Sequence, residues 1–403
     1  MRPTRAKKRS GRTRADEGPN KMKVVIIGPA YPLRGGIAHH VYWLRQELIS
    51  RGHTVLVISF RKLYPSLLFP GTTESDTSRL KLDADARAVL APLSPATWFK
   101  AIRAVKAFAP DIVVFQWWQP FFAPLVGTIA RSLNRAGIKC MIECHNVFPH
   151  EASPIDRALI KFAFSPIDSF ITHSNKDREL LATLVPESRI RVSPLPVLHE
   201  FSGERQSARD GRTILFFGKV RKYKGLHVLL EAMPRVLSEI DCQLVIAGEF
   251  YDSLDKYQRL IRELGIERNV RIINRYVPNE EVRDFFEQAD LLVLPYVSAS
   301  QSGVARIAFS NALPMIVSNA GGLSETVIEN VNGLVFPARD SKALAERIVN
   351  YFASNLGHVF AQNMRAGSGD DSGCAIVETI EEATQASSGS VRAGAPECDE
   401  SLG

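Results

Sequence analysis

The amino-acid sequence predicts an α/β protein with two doubly wound parallel sheets, one in each half of the chain. At 403 residues, the chain is long enough for two or three domains of ordinary size. Short runs of β-branched and aromatic residues alternate with amphipathic segments of helix length, and the alternation starts anew at Thr213. Alternating strands and helices are typical of parallel sheets that helices cover on both faces.

The first half opens with a predicted strand–helix–strand unit. A strand over residues 23–28 precedes a helix over 37–51 and a second strand over 54–60. A right-handed crossover of this kind places its two strands side by side and parallel. Further strands are predicted at 111–115, 138–143 and 169–173. We therefore expect an N-terminal α/β domain over residues 22–200.

The second half repeats the pattern after a polar boundary. Two prolines, Pro194 and Pro196, and the polar segment 202–212 separate the two halves. The strands predicted beyond this boundary cover residues 213–217, 243–247, 270–273, 291–294 and 315–317. We expect a C-terminal α/β domain over residues 201–355.

Both ends of the chain predict disorder. Residues 1–21 hold eight Lys or Arg and two acidic residues, whereas residues 366–403 hold eight acidic residues and one Arg. Such charged segments with few large apolar side chains cannot offset the entropy cost of ordering. The sequence therefore predicts a disordered basic tail over 1–21 and a divergent, disordered acidic tail over 356–403.

The charge of the body indicates an anionic ligand. The net charge of the chain is +7, and subtracting the tails leaves about +8 on residues 22–365. A basic body fits an anionic substrate or the surface of an anionic membrane. Nucleic acid is not expected as a partner, because the basic tail lacks aromatic residues for base stacking.

Cysteine use and hydropathy predict a cytoplasmic protein. The five cysteines show no metal-binding spacing, which favours free thiols in a reducing compartment. Residues 112–130 carry no charge but contain two prolines, so a buried strand and a core helix explain them better than a membrane span. A peripheral position on the inner face of the membrane fits the same observations.

The segment from Gly218 to Gly225 is the clearest candidate for a phosphate site. Here a predicted strand ends at glycine and gives way to Lys219, Arg221 and Lys224 before a helix begins. Cations beside a helix N-terminus bind phosphate well. A solvated basic turn is the alternative interpretation.

Other strands of the predicted sheets also end in loops that could bind a ligand. Gly35 and Gly36 follow the first strand, His145 follows the strand that ends at Glu143, and Ser302 precedes a helix. The carboxyl ends of parallel strands are where α/β sheets bind ligands. Each loop also has a structural interpretation, as a tight turn, a structural histidine or a helix N-cap. Asp83 and Asp85 match a DxD pattern, but they follow no strand, and we interpret them as part of a solvated loop. We predict no metal site.

The order of these motifs resembles that of the family 4 glycosyltransferases (glycosyl transferases group 1), in a sub-branch with Gln-Ser-Gly. The resemblance covers about residues 22–353. It is carried by the loop from Gly28 to Ala38, by Gly52-His53, by His145-Asn146-Val147 with Pro149-His150-Glu151, by Ser174-Asn175-Lys176, by Gly218 to Gly225, by Pro295-Tyr296 with Gln301-Ser302-Gly303, and by Gly321 to Glu325. It implies the GT-B fold, in which two Rossmann-like domains, an acceptor domain and a donor domain, face each other across a cleft.

The resemblance implies a retaining hexosyltransferase that moves a sugar from a nucleotide-sugar to a glycan, lipid-linked or small-molecule acceptor without a metal ion or other cofactor. His145 and Lys224 are implied as catalytic residues, with His145 touching the donor sugar. Fixed cations would stabilise the diphosphate leaving group in place of a metal. The implied donor-binding residues are Gly35, Gly36, Lys219, Arg221, Lys224, Ser302, Gly303, Val304 and Glu325.

The chain departs from the family pattern in two places. Many relatives carry two glutamates eight residues apart near Gln301, where this chain has Ala299 and Ile307. Relatives also end in a helix that crosses back onto the first domain, and the sequence after about Asn355 does not predict one. A nucleotide-sugar epimerase of the same fold and a catalytically inactive homologue acting as a binding subunit are therefore the alternatives.

Overall fold

A computed structural model describes residues 21–64, 74–149, 153–203, 212–367 and 372–385. Within these residues the chain forms two parallel sheets covered by helices, which confirms the predicted fold class. The basic tail over residues 1–20 lies outside the described residues.

The N-terminal sheet has the strand order β3-β2-β1-β4-β5-β6-β7. Its strands are β1 (Lys23–Ile27), β2 (Thr54–Phe60), β3 (Arg87–Leu90), β4 (Ile112–Trp117), β5 (Lys139–Cys144), β6 (Ser169–Thr172) and β7 (Ile190–Val192). Its helices are α1 (Gly36–Ser50), α2 (Pro95–Phe108), α3 (Ala123–Asn134), α4 (Pro154–Phe164) and α5 (Asn175–Ala182). The short strands β3 and β7 were not predicted, since each has only three or four residues, of which one is buried.

The central strand β1 is buried on both faces, as its unbroken apolar run predicts. Val25 and Ile27 face the core beneath α2, α3 and α4, whereas Val24 and Ile26 face the core beneath α1. This alternation follows from the two-residue period of a strand. The first domain is thus a three-layer structure with its helices divided between the two faces of the sheet.

The C-terminal sheet has the strand order β10-β9-β8-β11-β12-β13. Its strands are β8 (Thr213–Phe217), β9 (Gln243–Ala247), β10 (Val270–Ile273), β11 (Leu291–Leu294), β12 (Met315–Ser318) and β13 (Gly333–Phe336). Its helices are α6 (Leu226–Glu239), α7 (Leu254–Glu263), α8 (Asn279–Gln288), α9 (Gly303–Ser310) and α10 (Ser341–Ala353). All ladders of both sheets are parallel, so the loops that follow the strands of each sheet gather at one edge.

The prediction of a disordered acidic tail from residue 356 is wrong for the residues that the structure describes. Two further helices, α11 (Leu356–Ala366) and α12 (Ser372–Gln385), follow α10. Ile376, Val377 and Ile380 of α12 are fully buried in the first domain's core beneath α1. The ammonium of Lys139 donates to the Ala383 carbonyl at 2.6 Å. The chain therefore crosses back to its first domain.

Composition concealed α12 because its buried stripe is narrow. Acidic and small residues dominate its sequence, and three fully buried side chains spaced one and three residues apart carry most of the packing. Such a stripe is enough to hold a helix in a core that already exists. Residues 386–403 lie outside the described part of the chain.

Loops from the two domains meet between the sheets. The Asn279 side-chain amide donates to Asp76 at 3.1 Å, and the Glu280 carboxylate accepts from the backbone N–H of Arg79 at 3.0 Å. These contacts join the loop between β2 and β3 to the start of α8. Among the described residues, no helix is long and apolar enough to cross a membrane.

Candidate active site between the two domains

Four cations meet between the two domains, and we call Arg34, Lys219, Arg221 and Lys224 the cationic cluster. Three of them follow β8, whereas Arg34 comes from the loop after β1. The Lys219 ammonium lies 5.4 Å and the Arg221 guanidinium 4.8 Å from the centre of the Tyr251 ring. The structure therefore brings the predicted phosphate loop and the first-domain loop together.

The backbone of the β8 loop places Lys224 inside this cluster. Gly218 and Gly225 both have positive φ, at 97° and 68°, a conformation that glycine adopts without strain. The Lys224 ammonium lies 5.3 Å from the centre of the Tyr296 ring, and a Cβ at Gly218 would lie 3.1 Å from it. Lys224 is only 9% exposed. A β-carbon at Gly218 would therefore crowd this ammonium, whereas a β-carbon at Gly225 would clash with the carbonyl oxygen of Pro295, 1.9 Å away.

Burial and mutual repulsion lower the pKa values of two lysines of the cluster. Burial, with Arg34 next in importance, lowers the pKa of Lys219 to about 8. Burial also lowers the pKa of Lys224, and Arg221 adds to this effect. Like charges that are held together without enough water favour an anion that neutralises them. The electrostatics of the cluster are those expected of a phosphate site.

Arg34 was not predicted as a site residue, although it directly precedes the Gly35-Gly36 pair. Its guanidinium Nη2 lies 2.6 Å from Oε2 of Glu249, and its side chain is 1% exposed. The same guanidinium lies 4.9 Å from the centre of the Tyr276 ring. Its Nε and Nη1 have no hydrogen-bond partner within the described part of the chain. These two buried nitrogens are therefore available to donate hydrogen bonds to a ligand.

The predicted glycines of the first loop lie next to the cluster. Gly35 caps α1 with a φ of 130°, and a Cβ built on it would lie 3.9 Å from the Lys219 ammonium. A Cβ on Gly36 would meet no atom within 4 Å. The space beside Gly36 could thus admit a ligand to the exposed N–H groups at the start of α1.

The Ser302 loop lies on the other side of Lys224. Ser302 is buried, precedes α9, and its hydroxyl lies 3.2 Å from the hydroxyl of Tyr296, the ring that faces Lys224. A Cβ on Gly303 would meet no atom within 4 Å, and Val304 lies within 3.5 Å of a Cβ built on Gly218. The structure therefore brings all three predicted residues of this loop to the cationic cluster.

Glu325 makes a contact that the sequence did not predict. Its carboxylate accepts hydrogen bonds from the backbone N–H groups of Asn175 at 2.8 Å and Lys176 at 3.1 Å. These groups form the N-terminus of α5, where a carboxylate is favoured by the helix dipole. Glu325 thus joins the two domains, and its role in donor binding stays a prediction.

His145 belongs to a buried network at the carboxyl ends of β4 and β5. Its Nε2 lies 2.6 Å from Oε1 of Gln116, and the Gln116 amide donates to Oε2 of Glu143 at 2.8 Å. The other carboxylate oxygen of Glu143 lies 2.7 Å from Nε2 of His40 and 3.6 Å from Nε2 of His173. The sequence prediction included His145 but missed Gln116, His40 and His173, which lie on other elements far from it in the chain.

The electrostatics of this network keep His145 neutral. Burial lowers the pKa of His145 well below its usual value, and His40 and His173 add to this effect. Burial would raise the pKa of Glu143, but its contact with His40 holds that pKa well below its usual value. Glu143 is therefore an ionised carboxylate that accepts hydrogen bonds only.

The charge of Glu143 decides which nitrogen of His145 carries the proton. An ionised carboxylate must face the NH₂ of Gln116, so the amide oxygen of Gln116 faces His145. The His145 Nε2 must then donate to that oxygen. Its Nδ1 is left as a hydrogen-bond acceptor.

One group of residues within the described ranges has the spacing of a metal site. Ligand atoms of His40, Glu143 and His145 lie within 4.8 Å of one another. The hydrogen bonds and the 2.7 Å contact between His40 and Glu143 already link these side chains to one another and to Gln116. Asp83 and Asp85 lie elsewhere, in an exposed loop where Asp85 faces Arg45 at 3.4 Å.

Comparison with known proteins assigns the chain to a family. Residues 34–201 match the profile described as Glycosyltransferase Family 4, and residues 211–354 match that described as Glycosyl transferases group 1. The chain belongs to the family 4 glycosyltransferases. The two matches divide this glycosyltransferase between Phe201 and Gly211, at the boundary between its two sheets.

Relatives of this glycosyltransferase share different parts of its length. It is 34% identical over 129 residues to the uncharacterized glycosyltransferase MJ1607 of Methanocaldococcus jannaschii. This match covers 32% of this chain and only 33% of that relative. It is 24% identical over 310 residues to the phosphatidylinositol N-acetylglucosaminyltransferase GPI3 subunit of Saccharomyces cerevisiae. This match covers 74% of this chain and 68% of that protein.

Solved structures share the GT-B fold of this glycosyltransferase. Sucrose-phosphate synthase from Thermosynechococcus elongatus matches with a TM-score of 0.70 at 18% identity, over 91% of this chain and all of that one. Anabaena HepE in complex with UDP also matches with a TM-score of 0.70, at 14% identity, over 90% of this chain and all of that one. At these identities the likeness concerns the fold alone.

Proposed function

We propose that this glycosyltransferase moves a sugar from a nucleotide-sugar donor to a glycan, lipid-linked or small-molecule acceptor, with retention of anomeric configuration. The observation that supports the proposal most strongly is the cationic cluster, in which Arg34 of one domain meets Lys219, Arg221 and Lys224 of the other. A diphosphate is the ligand whose charge and size suit four cations at such a site. One structural neighbour, Anabaena HepE, was solved with UDP-glucose.

In the proposed reaction the bond between the anomeric carbon and the diphosphate oxygen breaks while the acceptor oxygen bonds to that carbon. The proton of the acceptor hydroxyl leaves with the nucleoside diphosphate or goes to solvent. Negative charge grows on the leaving diphosphate, so cations fixed beside it lower the barrier. These four cations supply that charge without a metal ion, and activity that persists in EDTA would support a metal-independent reaction.

His145 would position the donor sugar. The Nδ1 of His145 is a hydrogen-bond acceptor in a neutral ring, so it suits a sugar hydroxyl. His145 lies at the carboxyl end of β5 in the first domain, whereas three of the four residues of the cationic cluster lie in the second domain. Binding the sugar and the diphosphate from opposite domains would hold the reacting bond in a fixed orientation.

A catalytically inactive binding subunit is the second candidate. Ile307 is 7% exposed and packs in an apolar cluster of the second domain, and Ala299 packs against the same cluster. Neither position can therefore supply the carboxylate that many relatives carry. An inactive homologue would bind a nucleotide-sugar without cleaving it.

Donor hydrolysis separates these two candidates. We expect the chain to hydrolyse one of a panel of UDP-, GDP- and ADP-sugars slowly without an acceptor. Lys224→Ala should lower turnover by about 100-fold, because one charge-stabilising donor is lost. Lys222→Ala is the matched control, since Lys222 is an exposed lysine of the same turn and should retain turnover. Binding of a donor without cleavage would favour the inactive subunit, and normal kinetics of Lys224→Ala would contradict the diphosphate assignment.

A further inference from the structure

Large apolar side chains are exposed along one face of the first domain. Leu93, just before α2, is 70% exposed, and Phe99 within α2 is 55% exposed. On α4, Ile155 is 71% and Phe162 is 42% exposed. Helix α3 packs between α2 and α4, so these side chains share the surface of three neighbouring helices. We call this surface the α2–α4 face.

Basic residues surround these apolar side chains. Helices α2, α3 and α4 together carry six Lys or Arg and a single acidic residue, Asp156. Five of the six basic side chains are exposed: Lys100, Arg103, Lys106, Arg157 and Lys161. The sixth, Arg131, lies 3.9 Å from the centre of the Phe162 ring. Exposed apolar groups within a field of basic residues are complementary to an anionic lipid surface.

The topology places the most exposed apolar residues near the candidate active site. Strands β3 and β5 end at the carboxyl edge of the sheet, and α2 and α4 begin after them. Leu93 and Ile155 lie at the starts of these helices, at the edge where His145 also lies. A surface that touches this edge would therefore be close to the opening between the two domains.

We propose that the α2–α4 face docks on an anionic lipid bilayer, with Leu93, Phe99 and Ile155 inserted among the headgroups. The inference rests on the proposed function in one respect: a bilayer at this edge would present a lipid-linked acceptor to the site. Each Lys or Arg near such a surface strengthens binding about fivefold. The apolar side chains add contact area that salt does not screen.

Vesicle binding by the full chain tests the proposal. The probe is a set of phosphatidylcholine vesicles with and without phosphatidylserine, and the readout is the partition coefficient from flotation. We expect Phe99→Glu and Lys100→Glu each to lower partitioning onto the anionic vesicles by about fivefold or more. The matched control is Ile49→Glu, because Ile49 is 40% exposed on α1, on the opposite face of the same sheet, and should partition as the wild type does.

The basic residues 1–21 do not obscure this test. All variants keep that segment, so its contribution multiplies every partition coefficient equally. Equal binding of Phe99→Glu and the wild type would overturn the proposal, as would equal losses in Phe99→Glu and Ile49→Glu or no binding of the wild type. If the α2–α4 face docks a protein partner instead, the wild-type chain should not bind vesicles, and that result would also contradict the proposal.

Donor hydrolysis measured without vesicles separates this proposal from the proposed function. Phe99→Glu should hydrolyse the donor as the wild type does, because Phe99 lies on the outer surface of the first domain. Its melting temperature should also be unchanged. Loss of vesicle binding with normal hydrolysis supports the docking face, whereas a wild type that binds vesicles but hydrolyses no donor contradicts only the proposed function.

Discussion

The Arg34 guanidinium and the Glu249 carboxylate form an ion pair, with 2.6 Å between Nη2 and Oε2, that joins the loop after β1 to the loop after β9. Both side chains are nearly inaccessible to solvent, at 1% and 10% exposure. The pair therefore links the two domains beside the proposed diphosphate site. The Glu249 carboxylate would also compete with a bound diphosphate for the guanidinium of Arg34.

Arg34→Met should affect both stability and turnover. Removing one partner of a buried ion pair lowers the free energy of unfolding by about 3 to 5 kcal/mol. Adding Glu249→Gln should recover much of that loss, since the second charge is then gone as well. Turnover should stay lowered by about 10-fold or more in both variants if Arg34 acts on the diphosphate. Urea unfolding and donor hydrolysis measure the two effects, and recovery of turnover in the double variant would show that Arg34 is structural only.

Gln116→Met should allow the proton of the neutral His145 ring to move from Nε2 to Nδ1. Met has a similar volume but can neither donate to Glu143 nor accept from His145, so Nε2 protonation is no longer enforced. In the wild type, ¹⁵N spectra of the imidazoles should show His145 protonated at Nε2. Turnover of the variant should fall by about 10-fold. Gln119→Met is the control, because Gln119 donates to the Tyr64 hydroxyl instead. An unchanged tautomer in Gln116→Met would contradict the role of the amide.

Donor capture should weaken above a pH of about 8. The pKa of Lys219 is lowered to about 8, so the free enzyme holds this ammonium charged below that pH and loses the charge above it. The alkaline limb of kcat/KM reports the pKa of the free enzyme. Lys219→Arg should move the limb upward, because a guanidinium stays protonated across the whole range. A limb at the same pH in Lys219→Arg would exclude Lys219 as its origin.

Ile380→Ala should destabilise the fold although it lies beyond both matched segments. Ile380 is fully buried in the core of the first domain, and such truncations cost about 2 to 5 kcal/mol. Val359→Ala on α11 is the control, since Val359 is 50% exposed and its loss should change stability by less than about 0.5 kcal/mol. Equal melting temperatures for the two variants would show that α12 does not pack in solution.

Both sheets could be predicted because their strands are continuous apolar runs that end in glycine or polar loops. Parallel strands buried on both faces carry a signal in every residue, as in the β1 sequence. The signal fades at the sheet edge, where β7 has one buried residue. It fades again in α12, whose stability comes from a core built by distant residues.

The candidate site could be predicted only where its residues come soon after a strand in the sequence. Lys219 follows Gly218 at the end of β8, and Lys224 precedes Gly225 at the start of α6, so local sequence places both lysines. The partners of His145 were missed because Gln116 and His40 reach it from other elements, across 29 and 105 positions of sequence. Arg34 was missed because its role depends on Glu249, more than 200 residues away. Contacts of this kind are set by topology, which short motifs do not encode.

The return of α12 to the first domain means that the polypeptide passes between the two sheets twice. A body tied to its neighbour at one point can swivel in any direction, whereas two ties leave mainly a rotation about the line that joins them. Here one tie follows β7 and the other joins α11 to α12. Widening of the gap between the domains should therefore be mainly a rotation about the line through these two connections.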